Sequence, residues 1–100
     1  MDYLMMTDSN ITEELGRRLC RMRLRKNLTQ DQVATITGLS RTAVQGAEKG
    51  ASTLLTYVKI LRALNSLDSL DDFLPDIGIS PLELAKAQGK ERQRASQKRK

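Results

Sequence analysis

The chain has 100 residues, with 17 Lys and Arg against 12 Asp and Glu, no His, one Cys and a net charge of +5. This length predicts one domain with a modest core, and no apolar run approaches the roughly 20 residues of a membrane helix. One Cys and no His exclude a zinc site and histidine-dependent catalysis, so we expect no metal, no cofactor and no enzymatic activity.

Residues 1–9 show no periodicity and are predicted to form a flexible arm. Asn10 followed by Glu13 fits a capping box, which predicts a first helix up to about Lys26. Its apolar residues share one sector of the helical wheel and form the predicted core stripe, namely Ile11, Leu15, Leu19 and Met22. Arg23 lies at the edge of that sector, where a partly buried charge needs an acidic partner.

Two short helices follow, and the turn between them contains a glycine. Thr29 with Gln32 fits a capping box for a helix that ends just before Gly38, a residue suited to the left-handed position there. Ser40 can cap a third helix over 41–49. Two short helices joined by about three residues that include a glycine are typical of the helix-turn-helix.

Three further helices are predicted after this unit. Ser52 is expected to open the fourth helix. The predicted buried residues of that helix are Leu54, Tyr57, Val58, Leu61 and Leu64. A short fifth helix begins at Ser69 and ends before Pro75. Ser80 and Pro81 combine an N-cap with a proline at the first helical position, which predicts a last helix to about residue 88.

No strand pattern is present in the sequence, which therefore predicts an all-α fold. Residues 10–76 are expected to form a compact five-helix domain. Residues 77–100 are expected to form the C-terminal helix and a basic tail. The Lys, Arg, Gln and Ser residues after Gly89 are typical of a partly disordered segment.

Charge is distributed unevenly along the chain. Residues 17–62 carry ten Lys or Arg against two acids, and residues 86–100 carry seven against one. Residues 1–16 and 63–85 contain acids and no bases. Such segregation produces strong local fields and favours a polyanionic partner, although solvated helix faces give the same pattern.

Several residues of the helix-turn-helix carry a family pattern. They are Leu28-Thr29-Gln30-Asp31-Gln32-Val33-Ala34, Gly38-Leu39-Ser40-Arg41-Thr42-Ala43-Val44 and Glu48-Lys49-Gly50. This pattern resembles the phage-repressor-like, or XRE-type, helix-turn-helix family, and the resemblance covers about residues 12–74. Ala34 is small where the two helices cross, and Gly38 takes a turn conformation that a Cβ would penalise.

Gly46 departs from the family, which usually has a longer side chain at this position. A glycine within a helix costs about 1 kcal/mol relative to alanine. Either it allows the backbone to approach DNA or a neighbouring helix closely, or base reading has been given up there.

The resemblance implies a protein that binds double-stranded DNA with helix 41–49 in the major groove. The implied base-reading residues are Arg41, Thr42 and Gln45. The implied phosphate contacts are Thr29, Gln30, Ser40 and Lys49. An ion pair between Arg23 and Glu48 is expected to brace the reading helix. Arg17, Arg18 and Arg21 either reach flanking phosphates or remain solvated.

The function this implies is a sequence-specific transcriptional regulator, a homodimeric autorepressor of a palindromic operator, cytoplasmic and nucleoid-associated. A second resemblance, to HipB-like antitoxins, rests on Ser80-Pro81-Leu82 and Gly89-Lys90 after the acidic segment. It implies an alternative function, in which the protein binds and neutralises a HipA-like kinase toxin and uses operator binding for autoregulation. Neither function involves a membrane.

Overall fold

The computed structural model describes residues 1–78, which contain helices and no strand. The helices are α1 (Asp8–Arg25), α2 (Gln30–Thr37), α3 (Arg41–Glu48), α4 (Leu54–Ala63) and α5 (Ser69–Phe73), and a single 3₁₀ turn at Tyr3–Met5 precedes them. The all-α, five-helix prediction is therefore confirmed. The last predicted helix and the basic tail lie outside the described residues.

The first helix begins earlier than the sequence predicts. Thr7, not Asn10, is the N-cap: the Thr7 hydroxyl accepts a hydrogen bond from the Asn10 backbone N–H at 3.1 Å. Thr7 is, like Asn10, a residue type that commonly caps helices. The earlier start places Asp8 in the first turn of α1, where its carboxylate interacts favourably with the positive end of the helix dipole. The predicted arm over 1–9 thus includes the first residues of α1.

The caps of the helix-turn-helix agree with the predicted pattern. Thr29 and Gln32 form a reciprocal capping box, and Gly38 adopts a left-handed conformation with φ of 76°. The Ser40 hydroxyl accepts from the Ala43 N–H at 3.1 Å. The fourth helix differs by one residue, because Thr53 and not Ser52 is its cap.

Helices α1 to α4 enclose one hydrophobic core. Its buried residues are Leu19, Val33, Val44, Ala47, Ile60 and Leu64. Complete burial of one such aliphatic side chain contributes about 1.5–3 kcal/mol. The predicted stripe of α4 is partly wrong: Leu54, at the first position of the helix, is 59% exposed, and Ile60 is 1% exposed. The inward face of α4 contains Ile60 and Leu64, with Tyr57 and Leu61 packed beside them, so it is rotated around the helix axis away from Leu54 and toward Ile60.

The chain divides between Ser69 and Leu70, within α5. The first unit, Met1–Ser69, contains the four-helix core and the helix-turn-helix. This division comes earlier than the end of the predicted domain over 10–76.

Candidate nucleic-acid interface

Helix α3 has one face in the core and one face in solvent. Val44 and Ala47 are completely buried. On the opposite side, Arg41 and Thr42 are exposed and Gln45 is half-buried. The three predicted base-reading residues therefore lie together on the outer face of one helix. Charged and amide side chains on such a face can donate and accept hydrogen bonds at base edges.

Arg23 of α1 anchors the end of this helix. Its Nε donates to Glu48 Oε2 at 2.6 Å and its Nη2 donates to Glu48 Oε1 at 3.1 Å. Its Nη1 donates to the carbonyl oxygen of Leu28 at 2.7 Å. The side chains of Arg23 and Glu48 are only 11% and 7% exposed. One arginine thus fixes the end of α3 and the loop before α2 to α1.

The pKa of each group in this pair is shifted in the direction that favours its charged form. Burial disfavours the Glu48 carboxylate, but hydrogen bonds from Arg23 and Gln30 outweigh it and lower the pKa of Glu48 below its usual value. The Glu48 hydrogen bond in turn raises the pKa of Arg23. Burial raises the pKa of the neighbouring Cys20 thiol, which favours its neutral form and a packing role.

Two further contacts hold α3 in place, and the sequence pattern did not predict either. A Cβ on Gly16 would lie 2.5 Å from the Glu48 carbonyl oxygen, so α1 touches the end of α3 backbone to backbone. The Tyr57 hydroxyl of α4 donates to the Ala47 carbonyl oxygen at 3.0 Å. Apolar periodicity predicts which side chains are buried. It does not predict where two helices cross at a glycine or where a tyrosine hydroxyl donates to a backbone carbonyl.

Gly46 also makes a close backbone approach. Its carbonyl oxygen accepts from the Ala51 N–H at 2.9 Å, and a Cβ on Gly46 would lie 3.1 Å from the Ala51 carbonyl oxygen. Gly46 therefore packs closely against the turn that follows α3, which is neither DNA nor a neighbouring helix, and both interpretations of this glycine stay predictions.

Three of the four predicted phosphate contacts lie at the starts of α2 and α3, and the fourth, Lys49, lies at the end of α3. Thr29 caps α2, Ser40 caps α3, and Lys49 lies exposed at the end of α3. Gln30 is the first residue of α2, and its Nε2 donates to Glu48 Oε1 at 3.1 Å. Gln30 is thus linked to the same carboxylate as Arg23, an arrangement that orients its side chain.

A groove runs between α1 and α3, and its lining combines residues of α1, α2 and α3 with Lys49 after α3. They are Arg17, Cys20, Arg21, Gln30, Gln45, Glu48 and Lys49. The arginines of α1 differ in their contacts. Arg17 and Arg18 both donate to the buried Glu14, at 3.2 and 3.1 Å, and Arg18 also lies over the Tyr3 ring. Arg21 makes no ion pair within residues 1–78, so its charge is available to the groove.

Glu14 was not singled out by the sequence. The hydrogen bond from Arg18 lowers the pKa of Glu14, against an opposing effect of burial and with further help from Arg17. Its role is therefore to hold two arginines on α1, one of which, Arg18, also contacts the N-terminal turn.

Asp31 of α2 faces Arg41 of α3. The Arg41 Nε lies 3.5 Å from Asp31 Oδ1, and both side chains are mostly exposed. The pair joins the first turn of α2 to the first residue of α3.

The described part of the chain has no helix long and apolar enough to cross a membrane. Within the same residues, no group of acidic or sulfur side chains is arranged to hold a metal ion.

A family model described as a helix-turn-helix domain matches residues 14–72. No curated protein matches the chain. The matched segment includes α2 and α3 complete, together with the brace from α1. The match confirms the helix-turn-helix prediction and is consistent with the XRE-type resemblance. With its two capped helices, buried brace and polar outer face, the chain belongs to the helix-turn-helix domain family of DNA-binding proteins.

Proposed function

We propose that this protein is a sequence-specific regulator of transcription that binds double-stranded DNA as a homodimer and represses its target. The observation that carries this proposal is the two-sided α3. Val44 and Ala47 lie on the inner face of α3 and are buried in the core. Arg41, Thr42 and Gln45 share its outer face. Insertion into the major groove requires a helix whose inner face is fixed to the core and whose outer face is polar.

Each outer residue has a chemical role in this proposal. Arg41 donates two hydrogen bonds to guanine O6 and N7, and Gln45 pairs with adenine through its amide. Thr42 offers a methyl group to thymine or a hydroxyl to an acceptor. A good bidentate contact contributes about 1–3 kcal/mol of discrimination against the wrong base.

The residues at the helix starts position the protein on the DNA backbone. The N-terminus of α2 favours an anion because its first N–H groups point outward and its dipole is positive there. We assign Thr29, Gln30, Ser40 and Lys49 to contacts with backbone phosphates. Such contacts fix the register on the duplex and do not read sequence.

Dimer formation and repression are parts of the proposal. Helix-turn-helix dimers read two half-sites about 34 Å apart, and this spacing gives the operator its palindromic form. Repression then needs only occupation of the operator, in the cytoplasmic nucleoid. The alternative function, neutralisation of a HipA-like kinase toxin, depends on residues 80–90, which lie outside the described part of the chain.

Selection from a pool of randomised duplexes tests the proposal. The protein should recover a shared palindromic motif, and a titration should show that it binds this motif at least about a thousandfold more tightly than a scrambled duplex. Affinity should fall with salt, with a log–log slope of about −0.9 for each phosphate neutralised. Recovery of unrelated sequences with equal affinity would reject sequence-specific regulation.

A further inference from the structure

The pair between Asp31 and Arg41 combines two features that a stabilising ion pair lacks. Its atoms are 3.5 Å apart, and the side chains are 69% and 61% exposed. Exposed pairs of this kind contribute little to folding stability. Each group can also exchange the other for a new partner, because both side chains are accessible to water and to other polar groups.

Asp31 is an exception within the basic segment over 17–62. That segment contains only two acids, Asp31 and Glu48. Glu48 is almost buried and is neutralised by Arg23. Asp31 is therefore the one exposed carboxylate of the segment, and it lies in the first turn of α2 beside Gln30.

A carboxylate at this position opposes DNA binding in general. It repels the phosphates that the start of α2 would otherwise attract, and it neutralises the positive charge of Arg41. Helix α2 gains some stability from an acid in its first turn, but an exposed acid placed opposite Arg41 has a second consequence for binding.

We infer that Asp31 is a specificity-determining residue, which holds Arg41 away from phosphates and releases it to a guanine edge. This inference rests on the proposed function. A phosphate offers Arg41 two anionic oxygens, but the Asp31 carboxylate repels it, whereas the edge of a guanine carries no net charge for Asp31 to repel. A guanine offers two acceptors in the plane of the guanidinium, which the single 3.5 Å contact to Asp31 does not match. Asp31 thus weakens binding to wrong sequences more than binding to the right one.

The substitution Asp31→Asn tests this by removing the charge while keeping the side-chain size. Binding is measured to the duplex selected by the wild-type protein and to its scrambled counterpart, across a range of salt concentrations. For the scrambled duplex we expect about fivefold tighter binding and a salt slope steeper by about 0.9, equivalent to one added phosphate contact. Affinity for the selected duplex should change less, so the specificity ratio should fall several-fold.

Two controls separate this role from net charge and from helix stability. Asp68→Asn makes the same charge change at an exposed residue outside the basic segment, and it should leave the specificity ratio unchanged. In an Arg41→Ala background, Asp31→Asn should steepen the salt slope much less, because only the direct repulsion between Asp31 and phosphates remains. An equal effect of Asp68→Asn, or an undiminished effect without Arg41, would overturn the inference.

The two proposals fail in different ways. A wild-type protein without preference for any duplex rejects the proposed function itself. A wild-type protein that discriminates, and whose specificity ratio is unchanged by Asp31→Asn, rejects only the role of Asp31.

Discussion

Arg23 of α1 and Glu48 of α3 are joined by two hydrogen bonds of 2.6 and 3.1 Å. Because Glu48 also accepts from Gln30, one carboxylate joins the helix proposed to read DNA, the helix proposed to bind phosphate and the helix that supports both. The stability of the fold and the geometry of the proposed DNA surface therefore depend on the same group.

The substitution Glu48→Gln should reduce stability and DNA affinity together. It leaves the Arg23 charge nearly buried beside a neutral acceptor, and breaking one partner of a buried pair costs about 3–5 kcal/mol. Thermal melting should show a Tm lower by more than about 10 °C for a domain of this size. Glu13→Gln, an exposed change on α1, is the control. Equal melting of the two variants would contradict the bracing role of Glu48.

The same ion pair predicts a pH dependence of stability. The pKa of Glu48 is lowered from its usual 4.5 in the folded protein, so the unfolded chain binds its proton more readily. The stabilisation is complete above pH 4.5 and is lost as the pH falls through the lower folded-state pKa. Between neutral and acidic pH, the melting temperature of Glu48→Gln should change less than that of the wild type. Identical pH profiles would show that Glu48 does not contribute.

Gly16 should tolerate no side chain. A Cβ there would lie 2.5 Å from the Glu48 carbonyl oxygen and 2.6 Å from the Gly50 nitrogen, both backbone atoms that cannot rotate away. Gly16→Ala should cost about 3 kcal/mol, at the upper end for overpacking. Gly38→Ala is the matched control, because a Cβ there meets no atom and only its positive φ is strained, at about 1–2 kcal/mol. Denaturant unfolding that ranks Gly38→Ala as the more damaging change would contradict this close crossing.

Arg21 should contribute a phosphate contact and Arg25 should not. Both are exposed arginines of α1, but only Arg21 lines the groove beside Gln45 and Lys49. Arg21→Gln should reduce the salt slope of DNA binding by about 0.9, and Arg25→Gln should leave it unchanged. Equal slopes for the two variants would place the DNA away from this groove.

Much of this arrangement follows from local sequence chemistry. The capping box at Thr29, the left-handed Gly38 and the Ser40 cap each depend on residues a few positions apart, so the sequence predicts the helix-turn-helix and its outer face. Ile60 escaped prediction because the apolar residues of α4 are numerous enough to fit more than one stripe. Contacts between residues far apart in the sequence do not follow from such local patterns.

The start of α1 and the crossing at Gly16 were not predictable in the same way. Thr7 and Asn10 can both cap a helix, and residues 8–10 are exposed, so the pattern of buried residues does not decide between the two caps. Gly16 was unremarkable in the sequence, because its importance arises from the end of α3, more than thirty residues away. The contact between Asp31 and Arg41 likewise appears only when the two helices are placed together.

The most direct test of the central claim compares the wild type with Arg41→Ala and Gln30→Ala on randomised duplexes. If α3 reads bases, Arg41→Ala should relax the preference at one base position of each half-site. Gln30→Ala should weaken all duplexes alike and leave the motif intact. A motif that Arg41→Ala does not alter, or a wild-type protein that recovers no motif, would contradict the account.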